Sequence, residues 1–208
     1  MLIELALSLA LQARTLRAAD AGARPAFLLA VSELKASRFE KALSGFEAVL
    51  KKEPQQLEAA FYRGQCLYHL GRLDAAKTAM TDLSARAPEM PVTHYYLGRI
   101  AYDQSDLGEA FKQLQAAAAL DPDLAMVRYY LGLVYFQHSQ PQEAVLELKR
   151  SLELDPSLDR AAYALAFVSW NGLKQKAEAK QALQRLTGAK LDVVLRKKVA
   201  ALKKELAA

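Results

Sequence analysis

The chain has 208 residues, 52% of them hydrophobic and 25% charged, which is the composition of an ordinary soluble globular protein. Its net charge is +5, but residues 190–208 carry +4, so the rest is nearly neutral and lacks the basic groove expected of a nucleic-acid-binding protein. A single cysteine excludes an intramolecular disulfide framework.

The first predicted element is a helix over residues 2–16, within an N-terminal segment 1–22, and it is apolar on nearly all sides. Glu4 and Arg14 interrupt the apolar run, so it is too short for a membrane span of roughly 20 residues. It also lacks the basic start of a secretory signal, which favours the cytoplasm without assigning a compartment. Such a helix needs burial on more than one side. It could pack as a half repeat, bind a partner, mediate self-association, or follow upstream repeats that are missing.

From residue 23 onward the chain repeats itself at a fixed interval. The stretch "HYYLG" at 94–98 returns as "RYYLG" at 128–132, a 34-residue step. One column holds only small residues, and two others hold alanine and proline until they are lost at Glu178 and Lys190. The columns are Ala30, Gly64, Gly98, Gly132 and Ala166; Ala42, Ala76, Ala110 and Ala144; and Pro54, Pro88, Pro122 and Pro156. Internal repetition of this kind is typical of stacked helical repeats.

Each repeat is predicted to contain a helix A, a turn, a helix B and a proline stop. Turn and helix-capping residues stand at 37–38, 71–72, 105–106 and 139–141, between the small-residue and alanine columns. Small side chains let the paired helices approach closely, and proline cannot continue helix B.

This pattern resembles the tetratricopeptide repeat family. The resemblance is carried by "YYLG", by "LDAA" at 73–76, and by "LDPD" at 120–123 and "LDPS" at 154–157. It covers 23–56, 57–90, 91–124, 125–158 and, less closely, 159–189. It implies an all-α fold, a right-handed superhelical solenoid of helix–turn–helix repeats. The sequence departs from the family at a usually bulky position, which holds Ala26, Ala60, His94, Arg128 and Ala162.

Residues 190–208 are predicted to form a basic amphipathic helix that caps the array. One apolar stripe runs through Leu191, Leu195, Val199, Leu202 and Leu206, and lysines occupy the other face. Repeat arrays need such a solvating end. Binding of nucleic acid or acidic lipid by this tail is the alternative interpretation.

The sequence offers no catalytic or metal-binding motif. His69, His94 and His138 lie in three different repeats without metal-ligand spacing, and the glycines stand in packing columns instead of a phosphate-binding loop. Cys66 lies within a helix A and is predicted to be a small buried side chain. We therefore predict no enzymatic activity, no cofactor and no bound metal.

Aromatic residues recur on one face of the A helices. In proteins that resemble this one, that face lines the concave surface of the superhelix, so a partner-binding wall is predicted there. The competing interpretation is packing between repeats. A Lys/Asn carboxylate clamp known from the family is lacking, since Arg99 is the one inward basic residue expected. The predicted groove residues are Phe27, Phe61, Tyr62, Gln65, Tyr68, Tyr95, Tyr96, Arg99, Tyr102, Tyr129, Tyr130, Leu133, Phe136, Tyr163, Phe167 and Trp170.

The resemblance implies a non-catalytic adaptor that binds a peptide or helical segment of another protein in this aromatic groove. The alternative is a structural subunit of a larger assembly, such as a bacterial envelope, secretion or motility complex, held through its terminal helices. Neither interpretation involves nucleic acid or a membrane span.

Overall fold

The computed structural model describes residues 23–186 and 191–207, so the helix predicted over residues 2–16 lies outside the described residues. Within that part of the chain there are eleven helices and no strand. None of these helices is long and apolar enough to cross a membrane.

Two kinds of helix alternate along the described chain. The A helices are α1 (Ala23–Lys35), α3 (Leu57–His69), α5 (Pro91–Asp103), α7 (Ala125–Gln137), α9 (Asp159–Asn171) and α11 (Val193–Glu205). The B helices are α2 (Phe39–Lys52), α4 (Leu73–Arg86), α6 (Leu107–Leu120), α8 (Pro141–Leu154) and α10 (Lys176–Gln184).

The C-terminal helix α11 stands in the register of an A helix. It begins one 34-residue step after α9 and has the same 13-residue length as every other A helix. The small-residue column also continues to Ala200. Its predicted apolar stripe is buried, with exposures from 1% to 8%, in Leu191, Leu195, Val199, Leu202 and Leu206. The helix therefore covers the end of the last repeat as a further A helix.

A residue with left-handed backbone conformation closes each of the first four A-to-B turns. The φ values are 57° at Ser37, 73° at Gly71, 62° at Ser105 and 59° at Ser139. In the second of these turns the backbone N–H of Arg72 donates to the carbonyl of Leu67 at 2.9 Å, the bond that ends a helix in a Schellman motif.

The fifth turn is one residue longer than the first four. The prediction that the alanine column is lost at Glu178 is therefore wrong. Its left-handed residue is Lys174, and α10 begins one residue later than a 34-residue step from α8 predicts. The insertion moves Ala179, which is fully buried, into the position that a strict step assigns to Glu178. Glu178 instead forms an ion pair with Lys149 on the surface.

The prolines follow the B helices as predicted. The backbone carbonyl oxygens of two of them make polar contacts with side chains of the next repeat. Arg128 Nε donates to the carbonyl oxygen of Pro122 at 3.1 Å, and His94 Nε2 lies 3.2 Å from that of Pro88. These are the residues that replace the family's bulky side chain. Their polar ends secure the link between one repeat and the next.

The helices group into two compact units, which divide between Ile100 and Ala101. In the first unit the fully buried side chains include Phe46, Met80 and Leu83. In the second unit α7 to α11 enclose a core that includes Leu148, Leu152 and Val168.

Gly132 allows α7 and α8 to approach closely. A Cβ atom at this position would lie 2.7 Å from Leu148 Cγ and 3.1 Å from the carbonyl oxygen of Ala144. We therefore expect Gly132→Val to lower the free energy of unfolding by about 1–3 kcal/mol through overpacking. Urea titration followed by circular dichroism measures this loss.

The control is Gly108→Ala in the neighbouring helix α6. A Cβ atom added there would lie 3.9 Å from Asp106 Oδ1, which is an ordinary contact distance, so the methyl group has room. Alanine should raise stability there by up to about 1 kcal/mol. Equal stability of Gly132→Val and the wild type would contradict the close approach of α7 and α8.

Candidate functional site

In the first unit, predicted groove residues from α3 and α5 pack on one another. The ring centroids of Phe61 and Tyr96 are 5.5 Å apart, and Gln65 Nε2 donates to the Tyr96 hydroxyl at 2.9 Å. Phe61, Gln65, Tyr95 and Tyr96 are each 9% exposed or less. These four side chains therefore join neighbouring repeats and offer little surface to a partner.

Arg99 is held among tyrosines on the same face. Its guanidinium carbon lies 4.3 Å from the ring centroid of Tyr68, and its Nη1 donates to the Tyr95 hydroxyl at 3.3 Å. A cation over a tyrosine ring is attracted by the negative face of the π system. Arg99 and Tyr68 are half-buried, and both contribute to this packing arrangement.

Phe27 and Tyr62 form a second aromatic group with the B-helix residue Phe46. Phe46 lies 5.8 Å from Phe27 and 5.4 Å from Tyr62, measured between ring centroids. Phe46 is fully buried, whereas the other two are half-buried. The A-helix columns do not contain Phe46, so reasoning from those columns alone misses this packing partner.

The second unit contains a groove of about 880 Å³ formed by α7, α9, the end of α5 and the first half of α11. We call it the second-unit groove. The predicted residues that line it are Tyr102, Tyr129, Tyr130, Leu133, Phe136, Tyr163 and Phe167. It is also lined by Asp103, Gln137, Arg160, Ala164, Val168, Asp192, Val193, Val194, Leu195 and Lys198.

Aromatic contacts fix the side chains of the groove. Phe167 lies 5.8 Å from Phe136 and 6.1 Å from Tyr163, and Tyr129 lies 5.1 Å from Tyr130, all between ring centroids. Tyr130 is 7% exposed, while the other four are half-buried and keep part of their surface toward solvent. Rings held in this way can bury a large apolar area with little loss of side-chain entropy on binding.

Charged groups border the apolar floor. Asp192 caps α11 by accepting a bond from the backbone N–H of Leu195 at 2.8 Å, and it lies 3.9 Å from Arg160. Burial, together with the carboxylate of Glu205, raises the pKa of Tyr163. A tyrosine hydroxyl is protonated at neutral pH even at its ordinary pKa of 10.0, so that of Tyr163 can donate a hydrogen bond.

The groove residues of α11 were absent from the predicted site. Val193 and Val194 are 65% and 64% exposed and line the groove beside Leu195 and Lys198. The signal that identifies them is the 34-residue step from α9 and its continuation at Ala200. Trp170, in contrast, was predicted in the groove but is not among its lining residues, and its ring centroid lies 5.4 Å from Lys174 Nζ.

Two of the histidines stack on phenylalanine rings. His69 stacks on Phe39 with ring centroids 4.7 Å apart, and His138 stacks on Phe111 at 6.3 Å. In residues 23–186 and 191–207, no group of three or more His, Cys, Asp or Glu is arranged to hold a metal ion.

Cys66 is fully buried, and burial raises the pKa of its thiol from 9.0 to about 12. The folded state favours the protonated thiol, so this group costs stability as the pH rises above 9.0, where the unfolded chain ionises first. We expect the native thiol to react with a disulfide reagent at pH 8 at least about 100-fold more slowly than the denatured chain. A Gln142→Cys variant, with an exposed second thiol, is the control. Rapid labelling of Cys66 in the native protein would contradict its burial.

Comparison with known proteins identifies the repeat type. A family model described as tetratricopeptide repeat matches residues 27–91, and a model described as TPR repeat matches residues 98–139. Together these ranges span just over half of the chain. No curated protein matches it significantly.

Solved structures show the same fold. A thermophilic TPR protein of Thermus thermophilus is 25% identical and has a TM-score of 0.73, with 88% of this chain and 99% of that chain covered. PilF of Pseudomonas aeruginosa is 18% identical, with a TM-score of 0.73 and coverages of 88% and 90%. MamA of Desulfovibrio magneticus RS-1, from its residue 41 onward, is 21% identical, with a TM-score of 0.66 and coverages of 92% and 100%. These matches confirm the predicted all-α helical-repeat fold.

Proposed function

The chain belongs to the tetratricopeptide repeat family, and from this premise we propose that it is a non-catalytic adaptor that binds a protein segment in the second-unit groove. The family and fold indicate a role in protein–protein interaction or as a scaffold. The proposal adds the location of the site and the kind of contact made there.

The observation that carries the proposal is the partly exposed aromatic floor of the groove. Tyr129, Phe136, Tyr163 and Phe167 are held by ring contacts, yet none of them is fully buried. Clustered aromatic side chains are the residues that most often dominate the binding energy of protein interfaces.

The size of the groove suits a short protein segment. Its volume of about 880 Å³ equals that of a cylinder as wide as an α-helix, roughly 10 Å, over about two turns. The first unit offers less surface at the same column, because Phe61 and Tyr95, which correspond to Tyr129 and Tyr163, are only 8% and 9% exposed.

The proposal can be tested by photocrosslinking in the native host. A photoreactive amino acid replaces Gln137, an exposed residue at the edge of the groove, or Leu146, which is 66% exposed on the B helix α8. An adaptor that uses the groove should give a defined adduct from position 137 and none from position 146. Mass spectrometry of the adduct then identifies the partner segment.

The same experiment separates the adaptor from a structural subunit held through its terminal helices. A third photoreactive residue at Leu5, within residues 2–16, reports on that alternative. Adducts from position 5 without any from position 137 would favour the assembly subunit and reject the groove.

A further inference from the structure

Helix α11 ends the aromatic face of the A helices with lysines. Because α11 follows α9 by one 34-residue step, Lys197 takes the position that Tyr129 and Tyr163 hold in the two preceding A helices. By the same step, Lys198 corresponds to Tyr130 and Lys204 to Phe136. All three lysines are exposed.

At least one of these lysines belongs to the groove itself. Lys198 lines it together with Val194 and with Leu195, which belongs to the buried stripe of α11. The groove floor therefore passes from aromatic side chains on α7 and α9 to a valine and a lysine on α11.

The charge at this end of the groove is positive. On α11, Lys198 lines the groove and Lys197 is exposed next to it in the chain. Two other basic residues of the helix lie elsewhere, because Arg196 donates to the carbonyl oxygen of Leu191 and Lys203 lines a separate cavity beside α10. The other two charged groups nearby, Arg160 and Asp192, lie 3.9 Å apart and offset one another. The remaining acid of the groove lining is Asp103, which belongs to α5, three A helices before α11.

We propose that the second-unit groove selects an acidic amphipathic segment, with its apolar side chains on the aromatic floor and its carboxylates against the lysines of α11. This inference rests on the proposed function, because it names the chemistry of the segment bound there. Opposite charges guide the segment into one orientation, and a basic segment is repelled at the α11 end.

The test begins with selection from a library of random peptides displayed between fixed linkers, so that no free C-terminal carboxylate is offered. The immobilised full chain is the bait, and a second selection uses the Tyr129→Ala plus Phe167→Ala variant. Peptides retained by the wild type but lost by this variant should be enriched in Asp and Glu next to apolar residues.

One enriched peptide is then titrated by fluorescence anisotropy against two charge-reversal variants of equal net charge. Lys197→Glu plus Lys198→Glu should weaken binding at least about tenfold. The control, Lys180→Glu plus Arg185→Glu, changes exposed residues of α10 and its end and should alter the dissociation constant less than about twofold. Circular dichroism verifies that both variants are folded.

The outcomes separate this inference from the function on which it rests. The inference would be overturned if the peptides that need Tyr129 and Phe167 show no acidic enrichment. It would also be overturned if they bind the Lys197→Glu plus Lys198→Glu variant with wild-type affinity. In both cases the groove would stand as the binding site. If no selected peptide needs the two aromatic residues, the groove itself fails as the binding site.

Discussion

Replacing Leu202 and Leu206 together with alanine is expected to release α11 from the second unit. These side chains are 2% and 1% exposed and belong to the core of that unit. Each buried Leu→Ala substitution costs about 2–5 kcal/mol, and a whole domain is stable by only about 5–15 kcal/mol. Thermal unfolding should shift to much lower temperature, with added self-association because the end of the last repeat becomes exposed.

The matched control is Lys197→Ala plus Lys203→Ala, which changes two exposed positions of the same helix. Surface substitutions of this kind usually alter stability by no more than about 0.5 kcal/mol. In a repeat protein, stability is nearly a sum of contacts between neighbours. In the Leu202→Ala plus Leu206→Ala variant, amide hydrogen exchange should therefore increase first in α9 to α11. An unchanged melting temperature for the leucine variant would show that α11 does not stabilise the array.

The repeat organisation can be predicted from the sequence because each column has one physical cause. Small residues such as Gly132 are needed where two helices approach, and residues such as Pro122 are needed where helix B must stop. These requirements are local, so they recur at a fixed interval. The single inserted residue in the turn at Lys174 breaks the interval, and a strict 34-residue step then assigns Glu178 to a place that Ala179 fills.

The division of the aromatic residues between packing and a groove could not be predicted in the same way. Tyr95 and Tyr129 occupy equivalent positions, yet Tyr95 is 9% exposed and accepts a bond from Arg99, whereas Tyr129 lines the groove. The difference depends on which side chains stand in the neighbouring repeats. Tyr95→Ala is therefore expected to lower the free energy of unfolding. A test of binding should use residues of the second unit instead.

The repeat pattern could have predicted that α11 forms one wall of the groove, but a search for aromatic residues misses it because α11 carries lysines at those positions. The column of Tyr129 and Tyr163 becomes Lys197, so a search for aromatic residues stops one helix early. The small-residue column does not stop there, since Ala200 continues it. The apolar stripe of α11 is fixed by its packing against the last repeat. The exposed residues of the helix make no such packing contacts, so their type does not follow from the repeat pattern.

Truncating Tyr129 and Phe167 together is expected to give the largest change in binding. Both side chains line the second-unit groove, on the successive A helices α7 and α9. Loss of a central aromatic contact typically costs about 2–4 kcal/mol of binding energy, and each 1.4 kcal/mol is about a tenfold change in the dissociation constant. Both residues are only half-buried, so helical content should persist.

The most direct test is calorimetric titration of the crosslinked partner segment into the full chain and two variants. Tyr129→Ala plus Phe167→Ala should weaken binding at least about 100-fold while remaining folded by circular dichroism. The control, Leu120→Ala plus Leu146→Ala, removes two exposed leucines of B helices in the same unit, 44% and 66% exposed, and should bind like the wild type. A folded Tyr129→Ala plus Phe167→Ala variant with wild-type affinity would contradict the groove as the binding site.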